Sequence, residues 1–348
     1  MTDDIQANLA LLFQQHPLSR QQSEQLFSAI IQGQLNESQI AATLIALKIK
    51  GESLAEISGA ADALLGHATL FPRRPEHQGV LDIVGTGGDG FNTINISTTA
   101  ALVAAASGAM VAKHGNRSVS SQSGSSDLLA NLGVNLTLAP DIAADCLAEL
   151  GICFIFAPQY HAGVKHAVPV RQALKTRTIF NILGPLINPA RPDFMVLGVY
   201  CPSLLTPIAQ CLQALGVKRA MVVHGSGLDE VAIHGITQVV EIHDEKLKEY
   251  QLTPQDLGVN QAAIDDLTGG SPAQNAKYTL AILQGQGQPA HRDAVAVNAG
   301  CALYVAGIAP TPKAGTALAL ATLANQSAWE RLQQLIAYSN TTTQGCQS

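Results

Sequence analysis

The chain has 348 residues, 47% of them hydrophobic and 13% charged, and its 20 Lys and Arg against 26 Asp and Glu leave a formal charge of −6. A chain of this length holds one large domain or two and buries a core without disulfide staples. Its apolar content excludes a disordered polymer, and its acidic balance excludes a protein built to wrap nucleic acid, which needs clustered cations.

The N-terminus, MTDDIQANLALLFQQHP, has two acids and no basic region ahead of its apolar stretch, so no secretory signal is expected. Residues 1–68 repeat apolar positions at helical spacing. Ser19 with Gln22 and Ser53 with Glu56 have the spacing of capping boxes, while Asn36 precedes the run IAATLIALKIK that Gly51 closes. No strand candidate falls in this region. Between Ala68 and Gly79 the cluster Pro72, Arg73, Arg74 and Pro75 marks a boundary or hinge.

Beyond it the texture becomes β-rich runs alternating with Ala/Leu helices. Strands are expected at 80–84, 110–113, 153–157, 195–200 and 220–225. The expected fold class is α/β, a small all-helical N-terminal domain plus a larger α/β domain with a mostly parallel central sheet. The longest apolar run, Thr99 to Ala112, is too short to span a bilayer. The six cysteines form no C-x-x-C pair, and a cytoplasmic protein with reduced thiols is expected. The polar stretch 341–348 reads as a tail.

Two windows, 91–126 and 150–192, contain no Asp or Glu, yet they hold Lys113, Arg117, Lys165, Arg171, Lys175, Arg177 and Arg191. Even spreading would put about six acids there. The pattern points to a positive cleft for a small polyanion. Ahead of the first window lies the turn Gly85-Thr86-Gly87-Gly88-Asp89-Gly90, directly after the first strand. Glycines admit a close backbone approach, and amides at a helix start favour phosphate; an ordinary βα connection would look similar. A dinucleotide fold would need its helix to open inside the glycines and an acid about 20 residues on. Neither is present, and the Gly-Lys-Ser/Thr ending of a P-loop is absent too. The loop from Lys113 to Ser126, rich in hydroxyls and carrying two cations, suits phosphate and ribose groups, although its composition also fits a Ser/Gly linker.

GTGGDG (85–90), NIST (95–98), KHGNRSVSS (113–121), SGSSD (123–127), HAVPVRQALKTRTIFNILGPLINP (166–189) and GLDEV (227–231) together resemble the anthranilate phosphoribosyltransferase family, in order from about Leu9 to Leu335. The resemblance implies a nucleoside phosphorylase/phosphoribosyltransferase-like architecture. Residues 1–75 would form the helical domain, joined by helices near 165–190, and 76–164 with 191–340 the α/β domain. It implies a homodimer formed through the helical domains, phosphoribosyl diphosphate and anthranilate as substrates, and Mg²⁺ as cofactor, with neither nucleic acid nor membrane as a partner.

By the same resemblance, phosphoribosyl diphosphate would meet Gly85, Gly88, Asp89, Thr93, Asn95, Ile96, Ser97, Thr98, Lys113, His114, Gly115, Asn116, Arg117, Ser118, Val119, Ser120, Ser121 and Ser125. Anthranilate would meet Gly85, Asn116 and Arg171, and the metal Ser97, Asp229 and Glu230. These types suit the roles: hydroxyls and amides for phosphate, a cation for a carboxylate, hard oxygens for Mg²⁺.

The implied reaction is displacement of pyrophosphate from C1 of the ribose by the anthranilate amine. The acid-free windows disfavour a covalent glycosyl intermediate, so direct attack with inversion is expected. No acid or base is assigned. His114 is a candidate for proton movement or a locally bonded histidine, and the other nine histidines lack zinc spacing. Phe91 and Lys165 depart from the family's usual small or polar residue and arginine. A pyrimidine nucleoside phosphorylase-like enzyme is the alternative, and an idle nucleic-acid-binding relative a remoter one.

Overall fold

The computed structural model describes residues 3–117 and 122–341. Four helices open the chain: α1 (Asp3–Phe13), α2 (Arg20–Ile31), α3 (Glu37–Lys50) and α4 (Leu54–Gly66). Reciprocal capping boxes start three of them, Ser19 with Gln22, Asn36 with Gln39 and Ser53 with Glu56. Each satisfies amides that a helix start leaves without partners. Gly51 ends α3 at φ 84°, a conformation that disfavours a side chain.

Glu56 does more than cap. It is fully buried and accepts from Leu18 N at 2.9 Å, Ser53 N at 2.8 Å and Lys50 Nζ at 2.7 Å. One carboxylate thereby joins the start of α2, the end of α3 and the start of α4. The connector after α4 is fastened to the α/β layer. Arg73 donates to the carbonyls of His77, Ala190 and Arg191 and to the Asp193 carboxylate, while Arg74 pairs with Asp145.

The sheet contains β1 (Val80–Gly85), β2 (Met110–Gly115), β3 (Ile152–Phe156), β4 (Phe194–Gly198), β5 (Arg219–Gly225), β6 (Thr237–His243) and β7 (Lys246–Leu252), in the order β3-β2-β1-β4-β5-β6-β7. The first five run parallel, as expected, while β6 and β7 add antiparallel. That hairpin is absent from the sequence reading for two reasons. Its turn is Asp244-Glu245, with φ of 50° and 61°, rather than the Asn-Gly that usually signals such a turn. Its outer strand, KLKEYQL, is half charged as an edge strand should be and carries no clear apolar alternation.

Side chains alternate between the two faces of the sheet. Ile83, Val196 and Met221 face a core filled by α5 (Ile96–Ala106) and the C-terminal helices. Met195, Leu197 and Val222 face a second core that holds α1–α4, the helix Leu205–Ala214, and Ala167, Val170, Ile179 and Phe180. The helical domain therefore rests on one face of the sheet, with the 167–187 segment on its side. Strand order reverses at β1, between β2 and β4. In open α/β sheets the crevice beyond the carboxyl ends at such a point is where ligands bind.

Glu56→Ala should lower the free energy of unfolding by about 3 kcal/mol, because Lys50 and two amides lose a buried partner. Burial by itself would raise the Glu56 carboxyl, but the Leu18 amide, Lys50 and Ser53 outweigh it and hold it below its ordinary 4.5. The charge's contribution is then complete above about pH 4.5 and disappears as the pH falls through the folded pKa. Denaturant titrations of wild type and Glu56→Gln should converge in acid; a gap that persists at low pH contradicts this.

Candidate active site

β1 ends in the glycine turn, where Gly87, Gly88 and Gly90 have φ of 69°, 74° and 89°. Only glycine adopts this left-handed backbone without strain. Thr86 anchors the turn to the end of β4: its N donates to Gly198 O at 2.9 Å, and its Oγ1 accepts from Tyr200 N at 3.1 Å.

The loop after β5 folds back over these strand ends. A Cβ on Gly198 would lie 1.6 Å from Asp229 O, and one on Gly85 would lie 2.3 Å from Asp229 Oδ2, so both positions must be glycine for the loop to seat. Asp229 Oδ2 accepts from Gly87 N at 2.5 Å, and Glu230 Oε1 accepts from Ser97 N at 3.2 Å in the first turn of α5. A helix N-terminus favours an anion. Burial, with the Asp89 charge behind it, pushes the Asp229 carboxyl above its ordinary range; burial and the Asp229 charge push Glu230 up as well. Three acids thus converge where few cations answer them. Lys113 on β2 is the nearby base. It is 3% exposed, its Nζ donates to Ile83 O at 2.6 Å, and burial lowers its pKa although Asp82 and Glu230 oppose that.

This donor set fits Mg²⁺, which takes one or two carboxylates and completes its shell with phosphate and water oxygens. Among the described residues no group of three or more His, Cys, Asp or Glu side chains forms a ready-made metal cage. Ser97 reaches this corner through its backbone amide.

The NIST segment is pinned from far along the chain. Thr93 bridges to Thr268, and Asn92 O accepts from Gly269 N at 2.7 Å. Asn95 Oδ1 accepts from Asn275 Nδ2 at 2.8 Å and Ser123 Oγ at 3.0 Å, while its Nδ2 donates to Ser123 O at 3.0 Å. The Asn95 side chain is therefore spent on holding the NIST segment and the Ser-rich loop together. Ile96 and Thr98 are buried. Asn275, which fixes Asn95, has no local signal in the sequence.

His114 donates through Nδ1 to Gly184 O at 3.2 Å and stacks edge-on to His161 at 5.4 Å. Burial, followed by the His161 charge, pushes its pKa down to about 3. A ring this reluctant to protonate is a poor proton acceptor near neutrality. Gly115 lets Ser125 close in, since a Cβ there would be 2.2 Å from Ser125 Oγ, and Ser125 Oγ donates to Asn116 O at 3.3 Å. Arg117 is exposed and lies 3.8 Å from Asp127. Ser118, Val119, Ser120 and Ser121 lie outside the described residues.

Arg171 is half-buried with its guanidinium 5.1 Å from the Phe180 ring centroid. Burial alone lowers its pKa, with no acid acting on it. Arg177 lies over the Tyr200 ring at 4.0 Å and donates to Gly88 O. It sits in the acid-free window but was not among the expected site residues. Arg191 falls at the opposite end of the sheet, just before β4, where its carbonyl accepts from Arg73. The acid-free windows are thus not one pocket. Phe91 packs its ring toward Gly227, which explains how a large residue fits beside the glycine turn.

Residues 77–329 match the glycosyl transferase family a/b domain, and residues 8–68 match that family's helical bundle domain. A relative from Shewanella sp. (strain MR-7), an anthranilate phosphoribosyltransferase, is 65% identical over 340 residues, 97% of this chain and 98% of its own. The crystal structure of anthranilate phosphoribosyltransferase from Thermus thermophilus superposes with a TM-score of 0.91 at 41% identity, covering 96% of this chain and 99% of that one. The Saccharomyces cerevisiae enzyme in complex with PRPP and Mg gives a TM-score of 0.89 at 28% identity, covering 97% and 98%. These relatives carry the transferase reading rather than the phosphorylase one. With both domains matched in order and relatives of this identity along nearly its whole length, the chain belongs to the glycosyl transferase family, in its anthranilate phosphoribosyltransferase branch.

Proposed function

We propose that the protein transfers the 5-phosphoribosyl group from phosphoribosyl diphosphate to the amine of anthranilate, giving N-(5-phosphoribosyl)anthranilate and pyrophosphate, the second step of tryptophan biosynthesis from chorismate. The observation that carries this reading is the convergence of the Asp229-Glu230 corner, the glycine turn and the start of α5 at the sheet's switch point.

In this reading the donor's diphosphate lies along the turn of Gly85, Gly88 and Asp89 and over Thr93, Asn95 to Thr98, Lys113 to Arg117 and Ser125. Amides at left-handed glycines and at a helix start accept an anion without reorganising. Asp229 and Glu230, with the Ser97 hydroxyl, would hold Mg²⁺. Bound there, the ion would neutralise the departing pyrophosphate.

Arg171, half-buried against Phe180 with no acid among the described residues acting on it, is the cation kept for the anthranilate carboxylate, beside Gly85 and Asn116. Such a clamp aims the amine at C1, and holding the partners in line supplies much of the acceleration. The corner's carboxylates are already tied to the Gly87 and Ser97 amides. They are therefore poor nucleophiles for C1, and attack is direct. His114 stays neutral and bonded to the Gly184 carbonyl, so the proton released by the amine leaves through solvent or pyrophosphate.

We read the molecule as a homodimer through its helical domains, a reading supported by Ile49, Phe13 and Leu54 standing exposed there. A cytoplasmic location accords with the absence, among the described residues, of any helix long and apolar enough to cross a membrane.

Loss of anthranilate fluorescence on adding phosphoribosyl diphosphate tests the activity. Arg171→Ala should raise the KM for anthranilate by about 10- to 100-fold with a smaller change for the donor. Asp229→Asn should cut turnover and raise the Mg²⁺ concentration needed by about tenfold or more. Equal changes in both substrates' KM for Arg171→Ala would remove its assignment. Product stereochemistry by NMR should show inversion at C1; retention, or a trapped ribosyl-enzyme, would replace direct attack with a covalent route.

A further inference from the structure

Arg177 lies on the short connector between the helices Val168–Leu174 and Phe180–Leu183. That connector is fixed from three directions. Lys175 caps the first helix in a left-handed conformation, φ 47°. Thr176 accepts from Lys48 of α3, and Thr178 N donates to Asn181 Oδ1 at 2.9 Å. Ile179 and Phe180, immediately after it, are buried in the core shared with the helical domain.

From this base Arg177 crosses to the α/β layer and meets the glycine turn at Gly88 and its neighbour Tyr200 after β4. Its Nη2 donates to Gly88 O, and its guanidinium lies 4.0 Å from the centroid of Tyr200, whose N is bonded to Thr86. A guanidinium can donate in its plane while stacking flat on an aromatic face, whereas an ammonium has no plane to stack. The turn it touches needs such support. Three of its glycines sit at positive φ, and glycine loses more conformational freedom on ordering than any other residue.

We propose that Arg177 is a positioning residue that braces Gly88 from the acceptor side of the cleft, so that the turn's amides are set for the donor when the 171–180 segment is seated. The inference rests on the assignment of the glycine turn to the donor's diphosphate.

The test is steady-state kinetics together with calorimetric titration of phosphoribosyl diphosphate into Arg177→Ala, Arg177→Lys, Tyr200→Leu, Tyr200→Phe and the double variant Arg177→Ala/Tyr200→Leu. Arg177→Ala should weaken the donor's Kd and KM about tenfold and leave the anthranilate KM within about twofold. Tyr200→Leu should weaken donor binding by about threefold, Tyr200→Phe should recover most of that loss, and Arg177→Lys should recover only part of its own. The double variant should be no worse than Arg177→Ala, the sign of one shared brace. Donor binding unchanged in Arg177→Ala, with only thermal stability lowered, would overturn the proposal. So would loss in Arg177→Ala with none in Tyr200→Leu, which would mean direct contact between Arg177 and the diphosphate. Gly88→Ala separates the two layers of the argument. If it binds donor normally, the turn's assignment fails; if it loses donor while Arg177→Ala does not, only the brace fails.

Discussion

The site depends on how closely the chain approaches itself where the loop after β5 crosses the ends of β1 and β4. Asp229 rests on Gly198 and Gly85 at separations no side chain would permit, and its carboxylate takes the Gly87 amide. Two residues that are each ordinary in sequence thereby fix a carboxylate pair on the backbone of three elements. The fixation leaves Asp229 buried and Glu230 half-buried, and raises the pKa of both. A divalent ion, held by these two carboxylates and by a diphosphate, would supply the missing positive charge.

What was legible in the sequence was local. Helix caps, the five parallel strands, the glycine turn and the Asp229-Glu230 pair each announce themselves within a few residues, because a cap or a turn is a short-range constraint. The sequence separations that matter most for the site are long and leave no such trace. Asn275 reaches Asn95 across 180 positions, and a second tie, Thr99 to Thr279 at 3.0 Å, runs one turn further along the same two helices. The β6-β7 hairpin was illegible for a different reason: its turn uses Asp-Glu at positive φ, and its edge strand is charged to discourage pairing with another chain.

The acid-free windows were informative and partly misleading. Lys113, Arg171 and Arg177 do fall on elements that frame the cleft, but Arg191 lies at the far end of the sheet and Arg117 faces Asp127. Absence of acids in a stretch of sequence says nothing about acids brought in from elsewhere, and here Asp229 and Glu230 arrive from beyond both windows. The cleft is therefore not uniformly positive. It has an acidic corner at the strand ends and cations around it, an arrangement that suits a metal-diphosphate better than a bare polyanion.

Arg171 and Lys113 illustrate two ways of keeping a cation ready. Lys113 is stabilised inside the protein by the Ile83 carbonyl and by the fields of Asp82 and Glu230, so its charge belongs to the folded scaffold. Among the described residues Arg171 has only the face of Phe180. A partly desolvated guanidinium with so little compensation gains more from an incoming carboxylate than a solvated one would, because the cost of stripping its water has already been met on folding. If Arg171 is the acceptor's cation, as proposed, the same logic would let the acceptor side discriminate: a ligand without a carboxylate would leave that cost unrecovered, whereas anthranilate carries its carboxylate and its amine on adjacent ring carbons, so the group that satisfied Arg171 would also fix the direction from which the amine meets C1.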